Sequence, residues 1–240
     1  MKKALVACIL SALIAAPAVA KEPPAAPAEK PTTHAEFLAL LAKAEKGDVR
    51  AAADVGEDYY DADGTDKDYD AAVKWMKVAA DKNDAHGQND LGMAYSEGNG
   101  VERDDKKAFE LVSKAAKQNL PQALYNLGMM YQQGLGTDQN YPEAAKAFRK
   151  AADKGNAAAE NELGYAYEHG QGIEQDWKEA AKWYRKAAER GNDMAQSNLG
   201  YLYHLGLGVK KDDKEAADWF KKSAAQGNEK AQFNLDHLQD

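Results

Sequence analysis

The chain has 240 residues, with 31 lysines and arginines against 39 aspartates and glutamates, and a single cysteine. The formal net charge of -8 disfavours binding to a nucleic acid duplex or an anionic membrane, because like charges repel. No strong local basic patch stands out to overcome this repulsion. A single cysteine excludes an intramolecular disulfide, so stability must come from packing.

Residues 1–20 have the pattern of a bacterial export signal. Two lysines follow the first Met, residues 4–16 form an apolar run, and residues 18–20 read Ala-Val-Ala, a small-x-small cleavage pattern. We expect cleavage after Ala20 and a mature protein that is periplasmic or secreted. The apolar run is shorter than the ~20 residues of a membrane-spanning helix, and no later segment approaches that length.

An alternative interpretation places a lipid on Cys8, because Leu5-Val6-Ala7-Cys8 resembles the lipobox of bacterial lipoproteins. The position argues against it. Only four residues separate Lys3 from Cys8, too few for a working apolar region, and cleavage there would leave a second apolar stretch exposed. We therefore expect Cys8 to leave with the signal peptide, and the mature chain to have no thiol nucleophile.

Residues 21–33 contain four of the seven prolines, which predicts an extended linker. Residues 34–47 have a helical pattern, and they align with the second half of the repeats that follow. We predict that this segment is an N-terminal capping helix.

Residues 48–240 repeat every 36 residues. The marker is a leucine, or a valine in the first unit, followed by glycine, at Val55-Gly56, Leu91-Gly92, Leu127-Gly128, Leu163-Gly164 and Leu199-Gly200. We predict complete repeats at about 48–83, 84–119, 120–155, 156–191 and 192–227, and a partial repeat at 228–240. Such a solenoid has no single enclosed core for a buried active site, so its function is expected along its surface.

Each repeat contains two apolar stripes of helical period, which predict a pair of helices. The glycine after the leucine is expected to let the partner helix approach closely. A glycine pair such as Gly134 and Gly136 fits a turn that requires positive φ. The expected N-caps of the second helices share an Asp or Asn side chain and are Asp68, Asp104, Asn140, Asp176 and Asp212.

The combined pattern resembles the Sel-1-like repeat family, a relative of the tetratricopeptide repeats. It reads Ala-x-x-x-Leu-Gly-x-x-Tyr-x-x-Gly-x-Gly, then Asp, then Ala-x-x-Trp/Phe and Lys-Ala-Ala-x-x-Gly, with departures at Val55, Ala62 and Ala147. The resemblance covers residues 48–240. It implies an all-α, right-handed superhelical solenoid of antiparallel helix pairs, whose first helices line a concave face. It also implies adaptor or scaffold work rather than catalysis.

The first helices carry variable aromatic, methionine and amide side chains opposite their packed stripe. Such side chains suit a peptide groove, because they bury area with few rotatable bonds and accept varied shapes. We predict partner-binding positions at Tyr60, Asn89, Met93, Tyr125, Met129, Gln132, Asn161, Tyr165, Glu168, Ser197, Tyr201, His204 and Phe233. The alternative is that these side chains pack only between adjacent first helices.

An acidic cluster between Asp54 and Asp70 is expected to face outward as a solvated surface. Part of it, Asp61-Ala62-Asp63-Gly64, partly matches a calcium loop, but Tyr59 stands at the first ligand position and a glutamate is lacking. The five histidines show no metal-ligand spacing. We predict no metal, no cofactor and no catalytic residues, since no phosphate-binding loop or nucleophile motif is present.

The sequence therefore predicts a non-catalytic, exported interaction scaffold that binds a protein or peptide along the concave face. The acidic first repeat favours a basic partner. Two alternatives stay open: an immunity or regulatory protein that inhibits a toxin or envelope partner, and a hydrolase that acts on the cell wall or on β-lactams. The sequence names neither the partner nor the oligomeric state.

Overall fold

A computed structural model describes residues 33–238, and the predicted signal peptide, Cys8 and nearly all of the predicted linker lie outside this range. Within it the chain forms twelve α-helices and no β-strand: α1 (His34–Glu45), α2 (Val49–Asp61), α3 (Tyr69–Asp81), α4 (Ala85–Glu97), α5 (Asp105–Lys117), α6 (Pro121–Gln133), α7 (Tyr141–Ala152), α8 (Ala157–His169), α9 (Trp177–Glu189), α10 (Asp193–Leu205), α11 (Asp213–Ala224) and α12 (Glu229–Asp236). None of these helices is long and apolar enough to cross a membrane.

The helix boundaries follow from local side-chain chemistry. All five expected N-caps of the second helices are confirmed. The carboxylate of Asp176, for example, accepts hydrogen bonds from the backbone N–H groups of Lys178 and Glu179 at 2.8 and 3.2 Å. At their other ends, α4, α6, α8 and α10 stop at a glycine in the left-handed conformation. In the first repeat Ala62 takes this conformation, with φ of 64°.

The two helices of each repeat pack closely because the glycine after the leucine has no side chain. A Cβ atom at Gly164 would lie 2.7 Å from the ring of Tyr184 on α9, and one at Gly200 would lie 2.8 Å from the ring of Phe220 on α11. Both rings are fully buried. The structure therefore confirms close helix approach as the reason for this glycine.

The helix pairs stack in chain order, and each packs against the next. In the described range, neighbouring first helices contact one another, as α2 with α4, α4 with α6, and α10 with α12 do. Successive second helices make no comparable contacts there. The first helices therefore lie on the inner side of the stack and the second helices on the outer side. The fold class predicted from the sequence, an all-α superhelical solenoid, is confirmed.

Candidate partner-binding face

The predicted partner-binding residues fall into three rows on the inner side, with 36 residues between successive members. Row A contains Ala53, Asn89, Tyr125, Asn161, Ser197 and Phe233. Row B contains Glu57, Met93, Met129, Tyr165, Tyr201 and His237. Row C contains Tyr60, Ser96, Gln132, Glu168 and His204. The three rows differ sharply in how much of each side chain solvent can reach.

Most of row A is buried, including the predicted positions Asn89, Tyr125, Asn161 and Ser197, and this burial favours the alternative of packing between adjacent first helices. These four side chains are between 3 and 7% exposed. The next first helix covers them: the Asn126 amide donates to Asn89 Oδ1 at 2.9 Å, and the equivalent bond recurs at Asn161. Row A therefore joins neighbouring repeats. Only Phe233 is open, at 61% exposure, because no further described helix follows α12.

Row B is the accessible row. Tyr201 is 42% exposed, and Met93, Met129 and Tyr165 are half-buried, with part of each side chain open to solvent. The ring of Tyr165 stacks on the ring of His169, with the two ring centroids 4.0 Å apart, and this contact favours one orientation of the tyrosine. Pre-organised aromatic side chains lose little entropy on binding. Row B is therefore the part of the inner side that a partner could reach.

Row C is half-buried apart from Ser96, which is buried, and its members are held by polar contacts. The hydroxyl of Tyr60 on α2 donates to Glu97 of α4, so it links two repeats. His204 Nδ1 lies 2.7 Å from the carboxylate of Asp213 at the start of α11. These contacts fix one rim of the inner face.

A small pocket of about 40 Å³ lies on the inner side where α4 faces α6. Its apolar lining includes Met93, Tyr125, Met129, Met130 and Leu135. The structure thus brings three of the predicted binding residues together. Tyr125 is buried from solvent overall, yet its ring forms one wall of this pocket.

Charge is segregated between the two sides of the stack. The first helices α2, α4, α6, α8 and α10 carry ten acidic residues and a single lysine or arginine, Arg50. The second helices α3, α5, α7, α9 and α11 carry sixteen lysines and arginines and ten acidic residues. The first helices therefore carry a net negative charge, although Asp58 and Glu160 among their carboxylates are buried, and the field of the remaining carboxylates favours basic groups on a partner.

A polar position that the sequence pattern did not single out lies directly before the leucine, or valine in the first repeat, at each 36-residue step. Its occupants are Asp54, Asp90, Asn126, Glu162, Asn198 and Asn234. Asn126 and Asn198 make the bonds that join neighbouring first helices. A polar residue at the same place in every repeat, directly before the marker leucine or valine, is the signal that could have identified it. Leu205, 45% exposed beside Tyr201, was also missed because its counterparts in other repeats are polar.

The acidic cluster of the first repeat does not face outward throughout, because Asp58 is only 8% exposed. One of its carboxylate oxygens has no hydrogen-bond partner. Burial raises the pKa of Asp58 to about 6, and repulsion from Asp63, Asp54 and Asp61 adds to this shift. In the described range no group of three or more acidic, histidine or cysteine side chains could hold a metal ion.

The Sel1 repeat model matches residues 49–84, 85–120, 121–156, 157–192 and 193–228. The chain is similar in structure to c5321, a protective antigen of uropathogenic Escherichia coli with an SLR fold, at 39% identity and a TM-score of 0.75. That match covers 83% of this chain and 43% of c5321, so the chain spans less than half of that protein.

A Sel1 repeat protein from Oxalobacter formigenes is 31% identical, with a TM-score of 0.76 over 84% of this chain and 80% of that one. Immunity protein PA5088 of Pseudomonas aeruginosa, 24% identical, has a TM-score of 0.55 over 78% of this chain and 74% of that one, a likeness of fold alone. No curated protein matches. Since the family model accounts for five consecutive helix pairs, the chain belongs to the Sel1 repeat family.

Proposed function

We propose that the protein is an exported, non-catalytic scaffold that captures a segment of a partner protein along its inner side. Sel1 repeat proteins serve as protein-interaction scaffolds, and the family is generally non-catalytic. The observation that carries the proposal is row B. Its methionine and tyrosine side chains lie on the inner side, and each keeps part of its surface open to solvent.

The charge of the inner side supports a basic partner segment. The first helices bear a large excess of carboxylates, and row B adds apolar area between them. Acidic and apolar groups on one side of the molecule suit a segment that carries both lysine or arginine and apolar side chains. Long-range attraction would also speed the encounter with such a segment.

Site-specific photo-crosslinking tests the proposal. A photoreactive phenylalanine is placed at Tyr201 or Met129 of row B, or at Lys182, an exposed position on the outer helix α9. After irradiation of cells that express the protein, mass spectrometry identifies crosslinked chains. We expect the same partner from both inner positions and not from Lys182. Crosslinks from the outer position alone, or from none of the three, would contradict capture on the inner side.

A further inference from the structure

The Glu162 carboxylate lies on the inner side and has no obvious structural role. It lies on α8, half-buried, directly before the buried Leu163. Asn161 Nδ2 donates to its Oε1 at 3.2 Å, and the side chain of Gln132 on α6 also donates to it. None of its described partners is a lysine or arginine. A carboxylate held by neutral amides keeps acceptor capacity for a cation.

Two tyrosines lie near Glu162, and a second carboxylate lies near one of them. Burial, and then the nearby Glu162 carboxylate, raise the pKa of the hydroxyl groups of Tyr125 and Tyr165. Glu168 lies three residues after Tyr165 on α8 and also raises the pKa of its hydroxyl. The Glu168 carboxylate accepts a 2.6 Å hydrogen bond from the Tyr184 hydroxyl. Tyrosine faces and carboxylates in one place are the groups that stabilise an ammonium or guanidinium ion.

Tyr125 connects this acidic place to the apolar pocket of the inner side. Its ring lines the pocket together with Met93 and Met129, and its hydroxyl lies in the field of Glu162. A long basic side chain needs this combination, because its methylene stem packs on apolar surface while its charged end reaches a carboxylate.

The arrangement occurs once among the five complete repeats. The positions equivalent to Glu162 in the neighbouring first helices are Asn126 and Asn198, which are neutral and bond to the adjacent repeat. The position equivalent to Tyr165 in α6 is Met129. Among these repeats, only Tyr125 of α6 connects a carboxylate and a tyrosine of α8 to the apolar pocket between α4 and α6.

We propose that Glu162, with Tyr125 and Tyr165, forms a subsite that binds one lysine or arginine side chain of the captured segment, next to an apolar residue that contacts Met93 and Met129. This inference rests on the proposed function, since it concerns the same inner side. It specifies the class of side chain that the inner side recognises and the residues that recognise it.

A phage-displayed library of random dodecapeptides tests the subsite on the purified protein. Three proteins are compared: the native chain, Glu162→Gln, and Glu110→Gln as a matched control at an exposed position of the outer helix α5. Glutamine keeps the size of Glu162 and one acceptor oxygen but not its charge. Circular dichroism melting checks that each variant is folded.

On the native chain and on Glu110→Gln we expect enrichment of peptides with lysine or arginine beside an apolar residue. On Glu162→Gln the basic preference should disappear while the apolar preference persists. For one enriched peptide, replacing its lysine by norleucine should weaken binding to the native chain about tenfold and leave binding to Glu162→Gln nearly unchanged.

The pH dependence provides a second readout. Burial raises the pKa of the Glu162 carboxyl, although the bonds from Asn161 and Gln132 oppose this shift. A bound cation favours the ionised form, so the lysine peptide should bind more tightly as pH rises. Glu168 and His169 on α8 and Tyr184 on α9 are titratable groups that also face the subsite. The test is therefore the part of the pH dependence of peptide binding that Glu162→Gln abolishes.

The outcomes separate the two proposals. Enriched peptides without a basic preference, or with one that survives Glu162→Gln, would overturn the subsite and leave capture on the inner side intact. No enrichment on any of the three proteins, or enriched peptides that still bind when Met129 and Tyr201 are both changed to alanine, would overturn capture itself, and the subsite with it.

Discussion

At the scale of single residues, Asp58 conflicts most with its surroundings. Its equivalents in the other repeats are Ala94, Met130, Ala166 and Leu202, all of them buried. Asp58 places a carboxyl group in the same interior position, with one oxygen unpaired and three further carboxylates nearby. A buried carboxylate without a cation destabilises the folded state, because ionisation there forfeits hydration.

The effect of Asp58 on stability should depend on pH in a defined direction. Its pKa in the folded chain is about 6, above the ~3.9 of an unfolded aspartate, so the folded state binds the proton more tightly. The carboxyl is therefore tolerated best below the unfolded pKa, and stability falls as pH rises through about 6.

We expect Asp58→Ala to stabilise the protein by roughly 1 to 3 kcal/mol at neutral pH, with a smaller gain in acid. Urea unfolding of the native chain and the variant at about pH 4.5 and about pH 7.5 measures this difference. Asp66→Ala is the control, since it removes an exposed carboxylate of the same repeat. An equal gain for Asp58→Ala at both pH values would contradict the assignment.

At the scale of helices, each pair is held by a glycine facing a large ring or an aliphatic side chain of its partner. The contact recurs as Gly56 with Met76, Gly92 with Val112, Gly128 with Phe148, Gly164 with Tyr184 and Gly200 with Phe220. The side chain changes between repeats while the close approach does not. The backbone spacing of the pair is therefore the conserved quantity within this chain, and side-chain volume adapts to it.

Gly164→Ala tests this close approach. Alanine gains about 1 kcal/mol in helix propensity, but its Cβ would meet the fully buried ring of Tyr184, which has no free space to move into. We expect a net loss of about 1 to 3 kcal/mol in the free energy of unfolding.

Glu110→Ala, at an exposed outer position, should change the free energy of unfolding by less than about 0.5 kcal/mol. If Gly164→Ala were as stable as this control, or more so, the closely packed interface between α8 and α9 would be the wrong explanation for the glycine. Chemical denaturation of the three proteins under one set of conditions decides it.

Contacts between one repeat and the next keep their geometry while their chemistry varies. Residues 30 apart pair across this interface, as Gln118 with Gln88 at 2.9 Å and Gln226 with Gln196 at 2.8 Å. The same place holds an ion pair between Arg190 and the buried Glu160, at 3.2 Å. The interface between repeats is therefore regular in shape, and individual interfaces differ in the strength of their polar contact.

At the scale of the whole molecule, stability is a sum over repeats and their interfaces, because each helix pair contacts mainly its neighbours. Removal of one complete unit should therefore preserve the fold. Deletion of residues 121–156 joins Leu120 to Ala157 and brings the second helix α5 against the first helix α8, the type of contact that already exists between α5 and α6.

We expect the protein lacking residues 121–156 to unfold cooperatively, with proportionally less helical signal and a lower denaturation midpoint. The control lacks only residues 121–138, which removes α6 but keeps α7. This half-unit deletion leaves a second helix without its partner and should expose apolar surface. Circular dichroism, urea unfolding and dye binding compare them, and equal behaviour of the two proteins would refute stacking by complete units.

Much of the architecture can be read from the sequence because its causes are local. The 36-residue period, the aspartate and asparagine N-caps, the turn glycines and the glycine of each helix pair act within one repeat, and each has a chemical signature. The family, and the side of the first helices on which the variable residues lie, can be read from the sequence for the same reason. Thirteen binding positions could be proposed on this basis, but not which of them solvent reaches.

Accessibility was decided only by the tertiary structure, since it depends on how closely the next first helix approaches. That approach buries Asn89 and Asn161 under neighbouring amides and leaves Tyr201 exposed and Met129 half-buried. The fold also encloses Asp58 in a position that its own sequence context does not mark as interior. The net negative first helices and the net positive second helices likewise form two sides of the molecule only when the repeats stack, because each helix alone carries too few charges to define a surface.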